Sequence, residues 1–112
     1  MLNGFEYFIH HEDARRANGM GPRTDRPDLD ELSWRMNWLI TRRAVRKTRP
    51  FGLLLVRDDG ERRIFGAEPA AVLSGRATEL ALYLAGRRSA AEVALSGPDD
   101  AVAAVENANL RL

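Results

Sequence analysis

The chain has 112 residues, with 17 Lys and Arg against 16 Asp and Glu, and 45% of its residues are hydrophobic. That suits one small globular domain and leaves no room for two full ones. A net charge of +1 and 7% aromatic content give neither a strong polyanion-binding field nor a stacking surface, so nucleic acid is not the expected partner. With no Cys, a disulfide framework, a thiolate zinc site, a CxxC redox centre and a cysteine nucleophile are all excluded, and any metal must be held by His and carboxylate.

The longest apolar runs, such as Leu53 to Val56, fall far short of the roughly 20 residues that span a bilayer. Glu6, His10 and Glu12 stand where a signal peptide would carry a basic start and an apolar stretch. No membrane partner is expected, and a cytoplasmic location follows by default.

In chain order, residues 3 to 18 predict a helix: Asn3 is placed to cap it, Glu6 follows three positions on, and Asn18-Gly19 stops it. Its apolar residues Leu2, Phe5, Tyr7, Phe8 and Ile9 need a cover, so this helix reads as an appendage to the rest. Residues 19 to 28, GMGPRTDRPD, form a loop by their Gly and Pro content. A second helix is predicted from about Leu29 to Lys47, with Leu32, Met36, Leu39 and Ile40 at helical spacing. Trp34, Trp38 and Val45 broaden its stripe, so both tryptophans are expected in the core. Arg42, Arg43, Arg46, Lys47 and Arg49 gather at its far end, where cations complement the helix dipole; a solvated patch is favoured there over an anion site.

Beyond Pro50 the period changes. FGLLLVRDDGERRIFG, residues 51 to 66, reads as strand, Asp59-Gly60 turn and strand. AAVLSG at 70 to 75 is a third strand, RATELALYLAGRR at 76 to 88 a helix stopped by Gly86, and AEVALSG at 91 to 97 a fourth strand. Pro98 opens a last helix over PDDAVAAVENANL. This order predicts an α+β domain: a mainly antiparallel sheet of about four strands, helices packed on one side, and one appended helix in front.

Metal chemistry is recognisable in one place. Glu6 and His10 are four residues apart on the predicted first helix and so project from one face, with Asp13 one turn further on. Catalytic zinc usually takes three protein ligands and keeps a position open, so one more donor is required; Asp13 is that donor or a group orienting His10. From spacing alone a solvated polar face is favoured over metal binding for these residues. The HExxH pattern is absent, no phosphate-binding glycine loop occurs, and Ser33, Ser74, Ser89 and Ser96 lack a nucleophile elbow.

Three segments, EYFIHHEDARRA (6 to 17), RPFGLLLVRDDGERRIFGAEPAAVLSG (49 to 75) and ATELALYLAGRRSAAEVALSGPDDAVAAV (77 to 105), resemble in order the C-terminal half of the actinobacterial metal-binding proteins related to mycothiol-dependent maleylpyruvate isomerase. The resemblance implies residues 1 to 20 as the last helix of a DinB-like metal-binding bundle, 21 to 28 as a linker, and 29 to 112 as a sterol-carrier-like α+β domain. It also implies Glu6 and His10 as two ligands of a divalent metal, usually zinc, with Asp13 matching an acidic position that follows. The chemistry implied is thiol-dependent isomerisation or transfer, in which the metal lowers the pKa of a small-molecule thiol, mycothiol. The family's earlier bundle helices and its first His ligand have no counterpart in this chain. A homodimer or another chain would have to supply them, or the reading frame is a truncated remnant. The rival expectation is a non-catalytic ligand-binding or dimerisation module built on the sheet and the Trp34/Trp38 helix.

Overall fold

The computed structural model describes residues 2 to 20 and 27 to 111, with side chains in the first helix from Ile9 onward. The chain runs α1 (Leu2–Ala17), α2 (Pro27–Met36), α3 (Trp38–Lys47), β1 (Gly52–Arg57), β2 (Arg62–Phe65), β3 (Ala70–Gly75), α4 (Ala77–Leu84), β4 (Ala94–Ser96) and α5 (Asp99–Asn107). The fold is α+β, as expected. The predicted linker lies outside the described residues as far as 26, and its last two positions, Pro27 and Asp28, already belong to α2. Pro27 suits that place, because a first-turn residue needs no hydrogen-bonded N–H and its fixed φ is already helical.

The sheet requires a correction. Its order is β2-β1-β3-β4. The outer pairs, β1 with β2 and β3 with β4, are antiparallel, but the central pair β1 and β3 is parallel, in register from Gly52↔Ala70 to Arg57↔Gly75. The expected mainly antiparallel sheet is therefore mixed. The Asp59-Gly60 hairpin brings β2 back to the starting end of β1, and the short link at 66 to 69 then crosses that end instead of making a second hairpin.

Gly52 makes the crossing sterically feasible. A Cβ there would sit 2.5 Å from the carbonyl oxygen of Ala67 and 2.6 Å from that of Phe65, distances no side chain tolerates. The Gly52 N–H donates to the Pro69 carbonyl at 3.1 Å, which ties the crossing link to the strand beneath it.

Alternation along the strands separates the two faces of the sheet. Leu53, Leu55, Ala71 and Leu73 are buried and join one core with Ile40 and Ala44 of α3, Leu80 and Leu84 of α4, and Ala101 and Val105 of α5. The helices thus cover this face. On the other face Leu54, Val56 and Val72 are only half-buried and Ile64 is exposed.

The long helix predicted over 29 to 47 is two helices bent at Asn37. The bend has local causes. The Thr41 hydroxyl donates to the Asn37 carbonyl at 2.7 Å, back-bonding of the kind that bends helices. The buried Asn37 side chain also accepts from Arg63 of β2 at 3.2 Å. Trp34 is buried, as expected, but Trp38 is 38% exposed and lies outside the core, so the expectation of a core residue fails there. The bend is what separates the fates of the two rings.

Gly86 ends α4, as its sequence predicted. The bonds Gly86 N–H to Tyr83 O and Arg87 N–H to Leu82 O, with Gly86 at φ 92°, form a left-handed glycine cap. Tyr83, on the last turn, gives the fold a measurable alkaline limit. Burial pushes its phenol above the ordinary value of 10.0, with Arg88 opposing and Glu106 adding. A raised folded-state value means that the stability tied to the neutral phenol is complete below pH 10 and lost as pH climbs through the higher folded value. Wild-type stability, followed by urea unfolding from pH 8 upward, is expected to fall above about pH 10, and Tyr83→Phe is expected to flatten that fall. Parallel curves for the two proteins would assign the alkaline loss to other groups.

Candidate functional site

Residues Leu2–Ala17 form one continuous helix, so Glu6 and His10 lie one turn apart on it, as their spacing requires. The helix already begins at Leu2, which puts Asn3 inside it instead of at a capping position. It ends as predicted. Gly19, at φ 79°, lets its own N–H reach Arg16 O at 3.0 Å and the Met20 N–H reach Arg15 O at 3.1 Å, the paired bonds of a left-handed glycine cap.

From Ile9 onward α1 has an inner and an outer side. Ile9 and Glu12 are buried, and Ile9 belongs to the domain core, so this part of the helix is covered by its own domain. Arg16 is the clamp. Its guanidinium donates to both carboxylate oxygens of Glu79 at 2.7 Å, to the Ala90 carbonyl at 2.6 Å and to Glu12 at 3.2 Å. Glu12 also receives Arg15 at 2.9 and 3.0 Å, and Glu79 accepts the Glu92 N–H at 3.0 Å. Hydrogen bonding to Glu79 holds the Arg16 guanidinium above its usual pKa despite burial, which acts in the opposite direction. The cluster joins α1 to α4 and to the segment entering β4.

The proposed ligands occupy different surroundings. The Glu6 side chain lies outside the described residues. The His10 side chain is 70% exposed and its Nδ1 is 3.7 Å from Asp13 Oδ2, beyond hydrogen-bond range. Asp13 is engaged elsewhere: Arg87 donates to it from Nε at 3.2 Å and from an NH2 nitrogen at 3.0 Å. Its carboxylate therefore serves the contact between α1 and the end of α4 before it serves His10. Among the described residues no group of three His, Asp or Glu side chains is arranged to hold a metal ion.

A second charged network stands at the other end of β1. Arg57 donates to Asp30 at 3.0 and 3.1 Å and to Glu31 at 2.8 Å. Burial works against its charge, but these bonds outweigh it and leave the pKa raised. The other Asp30 oxygen accepts the Thr78 N–H at 3.1 Å, capping α4 from a different helix. Both networks were missed as sites in the sequence, yet each left a signal. Glu79 is the one acid in the wholly buried helix ATELALYL, and a carboxylate so placed requires a cation.

An open depression of about 330 Å³ lies between the end of α4 and the C-terminal segment, lined by Gly86, Arg88, Ser89, Asn109, Leu110 and Arg111. Arg88 there donates to the carbonyls of Glu106 and Ala108. Its guanidinium is thereby spent on fastening the chain end. No helix among the described residues is long and apolar enough to cross a membrane.

The chain matches no family model, no curated protein and no solved structure.

Proposed function

We propose that the chain is a partial member of the metal-binding superfamily related to mycothiol-dependent maleylpyruvate isomerase, in which α1 offers Glu6 and His10 to a divalent ion, zinc by its donor types. The remaining ligand lies outside residues 1 to 112. The observation that carries this reading is the mounting of α1: buried ion pairs fix the helix on the α+β domain, while His10 is left pointing to solvent at 70% exposure. An imidazole and a carboxylate one helical turn apart are donors that zinc accepts. When bound, the metal would supply a lowered pKa to the sulfur of a small thiol such as mycothiol, the basis for isomerisation or transfer. In this assignment Arg87 holds Asp13, and Arg16 holds the helix at a fixed angle for a facing ligand. A cytoplasmic setting belongs to the same proposal.

A second reading is favoured by the Asp13–Arg87 pair. Because that carboxylate is committed to the domain contact, α1 can equally be a docking element of a non-catalytic ligand-binding or dimerisation module. Zinc titration by calorimetry separates the two. Wild type is expected to bind zinc, and His10→Ala to bind it at least tenfold more weakly, as loss of one donor among so few requires. Indistinguishable titrations would leave the module.

A further inference from the structure

Among the described residues arginine side chains anchor in two ways. Arg16, Arg57 and Arg87 meet carboxylates, which balance their charge. Around the C-terminal segment the arginines meet backbone instead. Arg43 of α3 donates to the carbonyls of Leu110, at 2.8 Å, and Arg111, and Arg88, just beyond α4, donates to those of Glu106 and Ala108. Arg111 belongs to the segment so held. Among the described residues no carboxylate lies within ion-pair distance of any of these three cations. A carbonyl fixes a guanidinium without neutralising it, and a guanidinium has more N–H donors than two carbonyls take. Arg88, which also lies against the Tyr83 ring at 5.7 Å, is fastened but keeps its charge.

The depression of about 330 Å³ at the end of α4 is lined by both Arg88 and Arg111, and by no acidic side chain. Its remaining polar side chains are Ser89 and Asn109. Asn109 Oδ1 accepts the Arg111 N–H at 3.3 Å, so what Asn109 has left to offer is its NH2 group, a donor. Gly86 brings the walls together. A Cβ there would stand 2.6 Å from Arg111 Cα and 2.9 Å from its Cγ, so glycine is what lets the segment carrying Arg111 close against the end of α4. The concavity therefore gathers two cations and two neutral donor groups, with Gly86 and Ala108 adding wall that has no polar side chain.

We propose that this depression is a binding site for a small organic oxyanion, a phosphoryl or carboxylate group on a short carbon body, with Arg88 and Arg111 as its cationic contacts and Ser89 and Asn109 as neutral donors. Guanidinium forks match the oxygens of both groups. A volume at the lower end of the range for small-molecule sites admits one such group with a few carbons attached. A metal ion or a cationic ligand would meet like charge. Because Arg88 is already ordered by the carbonyls it holds, binding immobilises only Arg111 anew, which keeps the entropic cost low. The site uses neither Glu6 nor His10 and needs no metal.

The test is calorimetric titration of the full chain in EDTA at about 150 mM NaCl, where diffuse attraction is screened, with phenyl phosphate, benzoate and the uncharged benzyl alcohol. Wild type is expected to bind at least one of the two anions saturably, and at least tenfold more tightly than the alcohol; which anion binds identifies the group. Arg111→Gln, at a side chain that fastens nothing among the described residues, should weaken binding at least tenfold, the size of a lost charged hydrogen bond, with circular dichroism and thermal midpoint unchanged. Arg88→Gln should weaken it as much and also lower the midpoint, since Arg88 holds the chain end. Arg42→Gln/Arg62→Gln removes two arginines that do not line the depression and should leave binding as it is. Four results overturn the proposal: no binding of either anion at millimolar concentration; binding that survives Arg111→Gln; an equal loss in Arg42→Gln/Arg62→Gln, the sign of a diffuse positive field; or binding only after Leu112 is removed, which would make the chain's own terminal carboxylate the occupant.

Discussion

Arg16→Leu is expected to cost about 3 to 5 kcal/mol of folding free energy, the usual price of leaving one partner of a buried ion pair alone. The loss falls mainly on Glu79. Glu12 keeps Arg15, whose guanidinium reaches both of its oxygens. Glu79 keeps only the Glu92 N–H, and its side chain is 2% exposed in a helix that is buried throughout. One backbone donor cannot offset the desolvation of a full negative charge. Denaturant unfolding followed by circular dichroism reads the effect, and a domain of this size has only about 5 to 15 kcal/mol in total to lose. Arg16→Leu/Glu79→Leu should recover at least half of the loss, because replacing both charges with apolar groups of similar volume is close to neutral. If the double variant were no better than the single one, lost packing of the arginine stem would be the cause instead.

How far the sequence discloses this fold follows from the range of the forces involved. Residues that act within a few positions are readable. Gly19 and Gly86 stop their helices, Asp59-Gly60 turns β1 into β2, AAVLSG is β3 to the residue, and Pro98 precedes α5. Contacts made across the chain are not readable in the same way. Nothing near Asn37 reveals that Arg63 will reach its side chain, so the bend between α2 and α3 and the exposure of Trp38 stay hidden. The parallel pairing of β1 and β3 depends on a link crossing over Gly52, and a glycine at the start of a strand has no single meaning until the crossing is seen. Charged residues lie between these cases. Glu79 and Arg57 stand out against apolar neighbours and announce a buried partner without naming it. The candidate site is legible as a helix and a spacing, but the capture of Asp13 by Arg87, 74 positions away, is not.

Trp34→Ala should be similarly severe, with a loss of about 3 to 5 kcal/mol, for a different reason. The ring is 2% exposed and lies against two guanidinium groups, Arg63 at 4.1 Å and Arg57 at 5.8 Å from its centroid, while its Nε1–H donates to Glu61 at 2.7 Å. The cost of a truncation depends on how far the neighbours can close the hole, and these neighbours are pinned independently. Arg57 is held by Asp30 and Glu31, and Arg63 by the Trp34 backbone carbonyl and by Asn37. Neither can follow the shortened side chain inward, and water entering beside two cations does not replace the dispersion contacts of an indole. Trp34→Phe keeps an aromatic face under Arg63 but gives up the Glu61 bond and part of the volume, so roughly half of the loss is expected. Denaturant midpoints for wild type, Trp34→Phe and Trp34→Ala should descend in that order. Equal midpoints for the two variants would mean that the indole N–H, and not the ring against the arginines, is what holds α2 against the β1–β2 hairpin.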